Sequence, residues 1–340
     1  MLRRVTQPVI AVALAAALTG CFNSAEPVLE VTGSTMGSSY SIKWVGVGDS
    51  PEPAALQASL EAMFEQFDRE VSGWREDSDL ASFNASPVGA CRQIPESLVD
   101  LVKAAESLNQ RSGGAFDITV GPLLDLWGFH GPVGKHVLPG DDELRHALER
   151  VGQHHLRLDG DQLCKDADVL LDISGLAAGY MVDEVVEHLG VHGITSYMVE
   201  ITGELKAAGL KPGGSPWRIA IEEPRDDDRV AQLILPLDGY GVSTSGDYRN
   251  FFEYEGKRYS HTFNPRSGTP VMHQLAAVTV LHPSTMQADG LSTVLHVLGP
   301  EEGWEFALAH DVAALFVVRQ GTGFVSRATP EFNALRKGKE

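Results

Sequence analysis

Four glycine-punctuated segments, spaced along nearly the whole chain, restrict its folding more than any other feature. They are Gly33-Ser34-Thr35-Met36-Gly37, Gly114-Ala115-Phe116-Asp117-Ile118-Thr119-Val120-Gly121-Pro122, Asp172-Ile173-Ser174-Gly175-Leu176-Ala177-Ala178-Gly179-Tyr180, and a late group. The late group comprises Thr244-Ser245-Gly246-Asp247-Tyr248-Arg249, Ser260-His261-Thr262-Phe263-Asn264-Pro265-Arg266-Ser267-Gly268 and Ala288-Asp289-Gly290-Leu291-Ser292-Thr293. Turns rich in Gly and small hydroxyl residues beside a lone acid suit close backbone approach to a phosphorylated ligand and its metal. Any one segment is weak evidence, whereas the ordered set is specific. No period of about 20 to 50 residues repeats, which excludes a solenoid or propeller.

Between these segments the hydrophobic pattern changes period without regularity. Tyr40, Ile42 and Trp44 alternate as a strand with one buried face. Pro53 to Val71 places Leu56, Leu60, Met63, Phe64 and Phe67 at helical spacing. A second helix opens at Pro95 and runs to Gly113-Gly114, and a third spans Asp141 to Val151. Phe129 to Gly140, rich in Gly, Pro and His, is a loop. Val169 to Ile173 reads as a strand, followed by a tight turn and a helix carrying Val182, Val185, Val186 and Leu189. Extended runs follow at Ser196 to Ile201, Leu205 to Ala208, Trp217 to Glu222, Gln232 to Leu237, Tyr259 to Phe263 and Leu275 to Leu281. Such mixed blocks predict an α+β fold rather than a doubly wound parallel sheet.

The N-terminus has its own logic. Arg3 and Arg4, an apolar run from Val9 to Leu18, and Leu18-Thr19-Gly20-Cys21 form a signal peptide over residues 1–20 with a lipobox-like end. The run is too short to span a bilayer. A mature chain is therefore expected to start at a lipidated Cys21, on a tether over residues 21–30, followed by one domain over 31–330 and a tail over 331–340. The whole chain has 340 residues and a net charge of −19, and loss of Arg3 and Arg4 makes it more acidic still. That charge is poorly suited to nucleic acid, where phosphate contacts dominate affinity. With Cys21 assigned to lipid, Cys91 and Cys164 are left, either as a disulfide or as two buried thiols; their spacing does not decide. Without a CxxC or His-Cys cluster, a zinc site is not expected.

The helix after Gln287 is the clearest chemical signal. Leu291, Val294, Leu295 and Leu298 form its apolar stripe and leave Asp289, Ser292, Thr293 and His296 on the other side. Asp289 and Thr293 lie four apart, so a carboxylate and a hydroxyl project as neighbours, two hard oxygen ligands that suit Mg²⁺. The plainer reading is a solvated face with Asp289 as N-cap. Asp172 ahead of Ser174-Gly175 is either a helix cap or an acid beside an anion bound at the helix start. Met36 and Trp74 offer a thioether and an indole to a flat heteroaromatic ring, or belong to a core. His261, between Ser260 and the turn at Asn264-Pro265, is structural or a base acting near neutral pH.

Together the segments resemble the ApbE-like family, the FAD:protein FMN transferases, from about Gly33 to the end of the helix after Asp289. The resemblance implies a two-lobed α+β fold, mainly antiparallel sheets with packed helices, and a nucleotide cleft between lobes. It implies flavin-nucleotide contacts at Met36, Trp74, Ala115, Phe116, Asp117, Asp172, Ala178 and Phe263, and a Mg²⁺ site from the Gly175 carbonyl, Asp289 and Thr293. His261 falls in the family's Ser-His segment, as base or orienting group for an acceptor hydroxyl. Where many relatives have two glycines before the acid matching Glu204, this chain has Thr202-Gly203. The implied reaction moves FMN from FAD to a Thr or Ser hydroxyl and releases AMP. Its acceptors are extracytoplasmic respiratory flavoprotein subunits with a Ser/Thr-Gly-Ala-Ser/Thr motif, reached from a lipid-anchored position in the bacterial envelope facing the periplasm. An FAD pyrophosphatase and a non-catalytic FAD-binding lipoprotein are the competing readings.

Overall fold

A computed structural model describes residues 27–46, 48, 50–130, 138–225, 230–248 and 251–337. The expected leader, Cys21 and the first part of its tether lie outside the described residues, as do residues 131–137 of the expected loop and Arg249. The chain opens on a hairpin, β1 (Val28–Thr35) and β2 (Ser38–Val45), so the end of the expected tether is already strand. Helices α1 (Pro53–Val71) and α2 (Asp79–Asn84) lead to the short strand β3 (Cys91–Gln93). Helices α3 (Glu96–Ser112), α4 (Gly121–Leu126) and α5 (Asp141–Leu148) precede a second hairpin, β4 (Leu156–Asp159) and β5 (Gln162–Lys165). After α6 (Ser174–Val191) come β6 (Tyr197–Ile201), β7 (Glu204–Ala208), β8 (Trp217–Glu222), β9 (Ala231–Leu237) and β10 (Tyr240–Gly246). Two small hairpins follow, β11 (Phe251–Tyr254) with β12 (Lys257–Ser260) and β13 (Phe263–Asn264) with β14 (Thr269–Pro270). Strand β15 (Leu275–His282), helix α7 (Thr285–Ala309), strands β16 (Ala313–Gln320) and β17 (Gly323–Ala328) and helix α8 (Pro330–Lys337) end it.

Eight strands form one sheet in the order β1-β2-β6-β7-β10-β15-β16-β17. Every neighbouring pair in it is antiparallel, which places the fold in the α+β class. Side chains alternate across the sheet. Tyr40, Ile42, Trp44, Val199, Val280 and Phe316 pack under α1, α3, α6 and α7 in the main core. On the other face Val45, Ala207, Leu281 and Leu315 meet Trp217, Ile219 and Leu235 of the β8–β9 hairpin and Phe332 of α8. A third cluster joins α4 and α5 to the small hairpins through Leu123, Trp127, Ala147, Phe252 and Phe263.

Several sequence expectations change in the folded chain. Val169 to Ile173 is not a strand: its one ladder contact is an isolated bridge between Leu170 and Val120. The side chain of Asn84 takes a neighbouring strand's place, accepting from the Leu171 N–H at 2.8 Å and donating to its carbonyl at 3.0 Å. The run from Tyr259 to Phe263 is split between β12 and β13, and the third helix stops at Leu148. Residues 331–337, expected as tail, belong to α8 because Phe332 is buried beneath the sheet. Thr202-Gly203 makes the two-residue turn between β6 and β7, with φ of 55° and 110°. Cys91 and Cys164 stand opposite each other on β3 and β5 and form a disulfide.

Helices α6 and α7 cross in an antiparallel register that positions the site. Asp183 accepts from Thr285 N at 3.0 Å, Gly179 N donates to Asp289 at 3.1 Å, and Gly175 lies against Thr293. Each step moves one turn along both helices. The crossing is so close that a Cβ at Gly179 would sit 2.5 Å from the Thr285 carbonyl oxygen. Gly179→Ala is therefore expected to cost about 1–3 kcal/mol or more. Gly190→Ala, in the same helix but with open space where its Cβ would go, is expected to be neutral or to stabilise by about 0.5–1 kcal/mol. Denaturant midpoints of the two variants check this, and equal midpoints would show that the helices can separate without loss.

Candidate active site

The polar residues of α7 are not on a solvated face. Its N-cap is Ser284, whose hydroxyl accepts from Gln287 N, so Asp289 lies a full turn inside the helix. Asp289 is 6% exposed, and Ser292 and His296 are fully buried. Ser292 donates to the Asp289 carbonyl at 2.9 Å and therefore accepts from Ser243 at 2.9 Å and Ser245 at 2.8 Å on β10. Its hydroxyl is used up in joining α7 to the sheet. The amphipathic reading fails because α7 is covered from both sides, by α6 and by β10 and β15.

Asp289 and Thr293 meet the start of α6. A Cβ on Gly175 would lie 3.2 Å from Thr293 Oγ1 and 3.2 Å from the Phe116 ring. In an α-helix the Gly179 N–H has the Gly175 carbonyl as its partner. Here that N–H also reaches Asp289 Oδ2, so the carbonyl and the carboxylate flank one donor. Burial pushes the Asp289 carboxyl up to about 7, and the Gly179 N–H only partly opposes this. A buried carboxylate so weakly compensated, beside a hydroxyl and a carbonyl, is chemically suited to a hard divalent cation. Among the described residues no three His, Cys, Asp or Glu side chains cluster with metal-ligand spacing. A cation at this crossing would thus take its remaining oxygens from phosphate or water.

Asp172 is treated differently by its surroundings. Its Oδ1 accepts from Ser174 N at 2.9 Å and from the Ser174 hydroxyl, and Oδ2 lies 3.0 Å from His130 Nε2. Burial alone would raise its carboxyl, but His130 and Ser174 outweigh that and hold it below the usual carboxylate range. His130 also lies 3.0 Å from Asp125 Oδ1 through Nδ1. Burial works against its imidazolium, yet the two carboxylates lift its pKa to about 9. The Trp74 indole is 78% exposed and presents itself edge-on to the His130 ring, centroids 6.0 Å apart.

The other expected residues take separate places. Met36 occupies the β1–β2 turn with a φ of 51°, a left-handed conformation uncommon for a side chain of its kind and adopted beside Gly37 at 73°. Ala115 and Phe116 are buried, and Phe116 reaches Gly175. Asp117 turns inward: Oδ1 accepts from Thr119 N and Oγ1, and Oδ2 from Asn109 and Gln153 N. Its carboxylate ties its own loop together, so contact with a ligand would fall to the backbone. Ala178 is buried on α6, and Phe263 packs with Trp127 and Phe129. Asp247 forms a bidentate pair with Arg319 at 2.7 and 2.6 Å, a structural tie between β10 and β16.

His261 is exposed, and its neighbour Thr262 connects it to α7, through Oγ1 3.2 Å from His296 Nδ1. Burial, with like charge from His273 and His261, pushes His296 down to about 3, so it stays neutral. His273 donates through Nε2 to the His296 carbonyl, 2.7 Å away, just before the helix breaks at Gly299. The sequence reading missed His130 and Asp125, and placed His296 on the polar side of its helix without a role. Asp125 and His130 are close enough in sequence to pair across the end of α4; the contact to Asp172 spans 42 residues and left no local sign.

An α+β chain in which a carboxylate, a hydroxyl and a glycine meet at one helix crossing beside the Phe116 ring has the groups a phosphorylated ligand and its cation would use. The ApbE family model matches residues 36–316. Over 327 residues the chain is 40% identical to the FAD:protein FMN transferase of Vibrio cholerae serotype O1, covering 95% of this chain and 97% of the relative. It is 35% identical to that of Haemophilus influenzae over the full length of both. Among solved structures, the apo flavinyl transferase ApbE of Pseudomonas stutzeri superposes with a TM-score of 0.86 at 52% identity, covering 92% of this chain and 98% of that one. The Vibrio cholerae flavin transferase ApbE gives 0.84 at 38% identity, covering 91% and 99%. The chain belongs to the ApbE family.

The His130 pairs make a pH prediction with a definite sign. A histidine whose folded pKa is raised adds stability that is complete below about 6.5 and lost as pH rises further. For His130 that loss should run through about 9. Thermal midpoints of wild type and His130→Gln are expected to differ most at and just below about pH 6.5 and to converge as pH approaches about 10. Parallel curves across that range would mean that the pairs do not form in solution.

Proposed function

We propose that this protein transfers the FMN moiety of FAD to a Thr or Ser hydroxyl of an acceptor flavoprotein, with Mg²⁺ and release of AMP. The observation that carries the reading is the meeting of Gly175, Asp289 and Thr293 at the α6–α7 crossing, in a chain of the ApbE family. Asp289 supplies the charge that holds the cation, with the Gly175 carbonyl and the Thr293 hydroxyl beside it. Mg²⁺ bound there would withdraw charge from the FAD pyrophosphate. Met36, Trp74, Phe116 and Asp172 surround the flavin nucleotide, and Phe116 connects their side of the cleft to Gly175.

The bond changes balance without a further reactant. The acceptor hydroxyl oxygen forms a bond to the phosphorus of the FMN half, the bridging P–O bond breaks, and AMP carries away the electron pair. His261 takes the hydroxyl proton or aligns the hydroxyl for attack, and Thr262 with His296 fixes its place relative to α7. The acceptors are extracytoplasmic respiratory flavoprotein subunits with a Ser/Thr-Gly-Ala-Ser/Thr motif. The basic, apolar and lipobox-like residues up to Cys21 support a lipid anchor on a bacterial envelope membrane, facing the periplasm.

Three measurements test this. With FAD, Mg²⁺ and an acceptor, AMP and protein-bound FMN are expected in equal amounts. AMP without bound FMN would mean a pyrophosphatase, and neither product a carrier. Asp289→Ala is expected to abolish Mg²⁺-dependent turnover with little rescue by extra Mg²⁺, whereas Thr293→Ala is partly rescued, since water replaces a neutral oxygen more readily than a carboxylate. An unchanged Mg²⁺ titration in Asp289→Ala would move the metal elsewhere. His261→Ala is expected to lower transfer by about 10²- to 10⁴-fold with FAD affinity retained; weakened affinity at unaltered turnover would make it a binding residue.

A further inference from the structure

His130 stands outside every glycine segment and has no part in the transfer step. It nonetheless has specific company. Asp125 at the end of α4 and Asp172 ahead of α6 hold its two ring nitrogens, each at 3.0 Å. From the turn after α1, Trp74 meets its ring edge-on and carries no charge. Arg75, next to Trp74 in the chain, is committed to Glu65, Asp68 and Asp77. The imidazole therefore faces two acids and an indole, and joins Trp74 to Asp172, two residues far apart in the chain.

The need for such a group follows from charge. Both oxygens of Asp172 are engaged, one by Ser174 and one by His130. Without a cation, Asp172 would present a half-buried negative charge to an anionic dinucleotide, and like charges at close range oppose binding. A protonated imidazole offsets that charge, and by holding Oδ2 it fixes the carboxylate's rotation. Its edge contact also braces an indole that is otherwise in water.

We infer that His130 is a positioning residue for the flavin end of FAD, holding Asp172 and Trp74 in place as an imidazolium and so setting nucleotide affinity rather than transfer rate. This rests on the reading of Asp172 and Trp74 as flavin contacts. Adenine and its phosphate are not expected to depend on it.

The test uses the mature protein and calorimetric binding of FAD, FMN and AMP to wild type, His130→Gln, Asp125→Asn and Asp172→Asn. His130→Gln is expected to weaken FAD and FMN by about tenfold near neutral pH and AMP hardly at all, the size of one charge-assisted hydrogen bond. Asp125→Asn should weaken them less, since Asp172 keeps its partner. In turnover, KM for FAD rises while kcat at saturation stays within about twofold. The ratio of wild-type to His130→Gln affinity, in which titration of the flavin itself cancels, is expected to fall toward one as pH rises through about 9. A purely structural role would leave that ratio flat and weaken AMP equally, and either result overturns the inference. So does a fall in kcat with affinity intact. If Asp172→Asn weakens FAD while His130→Gln does not, the site reading stands and the inference fails; if neither does, both fail. Thermal midpoints above the assay temperature show that each variant is folded.

Discussion

The close packing of α6 on α7 is the constraint from which the rest of the site follows. The free N–H groups at the start of α7 point at Asp183, which accepts from Thr285 N at 3.0 Å, Met286 N at 3.2 Å and the Ser284 hydroxyl at 2.7 Å. One acid on α6 thus caps the other helix and fixes its axial position. Lys206 at 3.1 Å balances Asp183 from β7. With that end pinned and Gly179 admitting the α7 backbone, Asp289 falls opposite Gly179 and Thr293 opposite Gly175. A side chain at position 179 would break the register and separate Gly175, Asp289 and Thr293 at once.

Two acids that meet the first turns of the same helix are put to opposite uses by their surroundings. Asp172 receives an imidazolium and a serine and stays charged. Asp289 receives one backbone N–H, and burial raises it to about 7. A carboxylate already neutralised by the protein has little need of a cation, whereas one left uncompensated in a dry setting has much to gain. That difference gives the two ends of the site opposite electrostatics without any change of residue type, as the proposed flavin and metal sides require.

The remaining polar groups of α7 serve the frame. Ser292 gathers Ser243 and Ser245, His296 holds Thr262, and His273 closes on the carbonyl before the helix break. Together they bind the segment carrying His261 to the helix carrying Asp289. A carbon for oxygen exchange among them would alter where His261 stands without touching it.

Much of this was legible in the chain itself. The glycine segments, the α1 and α3 periodicities, the alternation in β2 and the α+β class all follow from short-range pattern, because helical and strand spacing report which side chains share a face. Asp289 and Thr293 stand out by their spacing on one helix and Gly175 only through the resemblance, and the folded chain brings the three together. Local pattern does not say which face meets which partner. Asn84 replacing a strand beside Leu171, Cys91 facing Cys164 across β3 and β5, and His130 reaching Asp172 are all contacts between distant segments. So is the burial of α7 on two sides, which turned an apparent solvated face into the centre of the molecule. The sequence by itself determined the elements and the residue types available for chemistry. Only tertiary packing decided their neighbours, and with them the charge of Asp172, His130 and Asp289, because desolvation and pairing depend on what lies across the contact rather than along the chain.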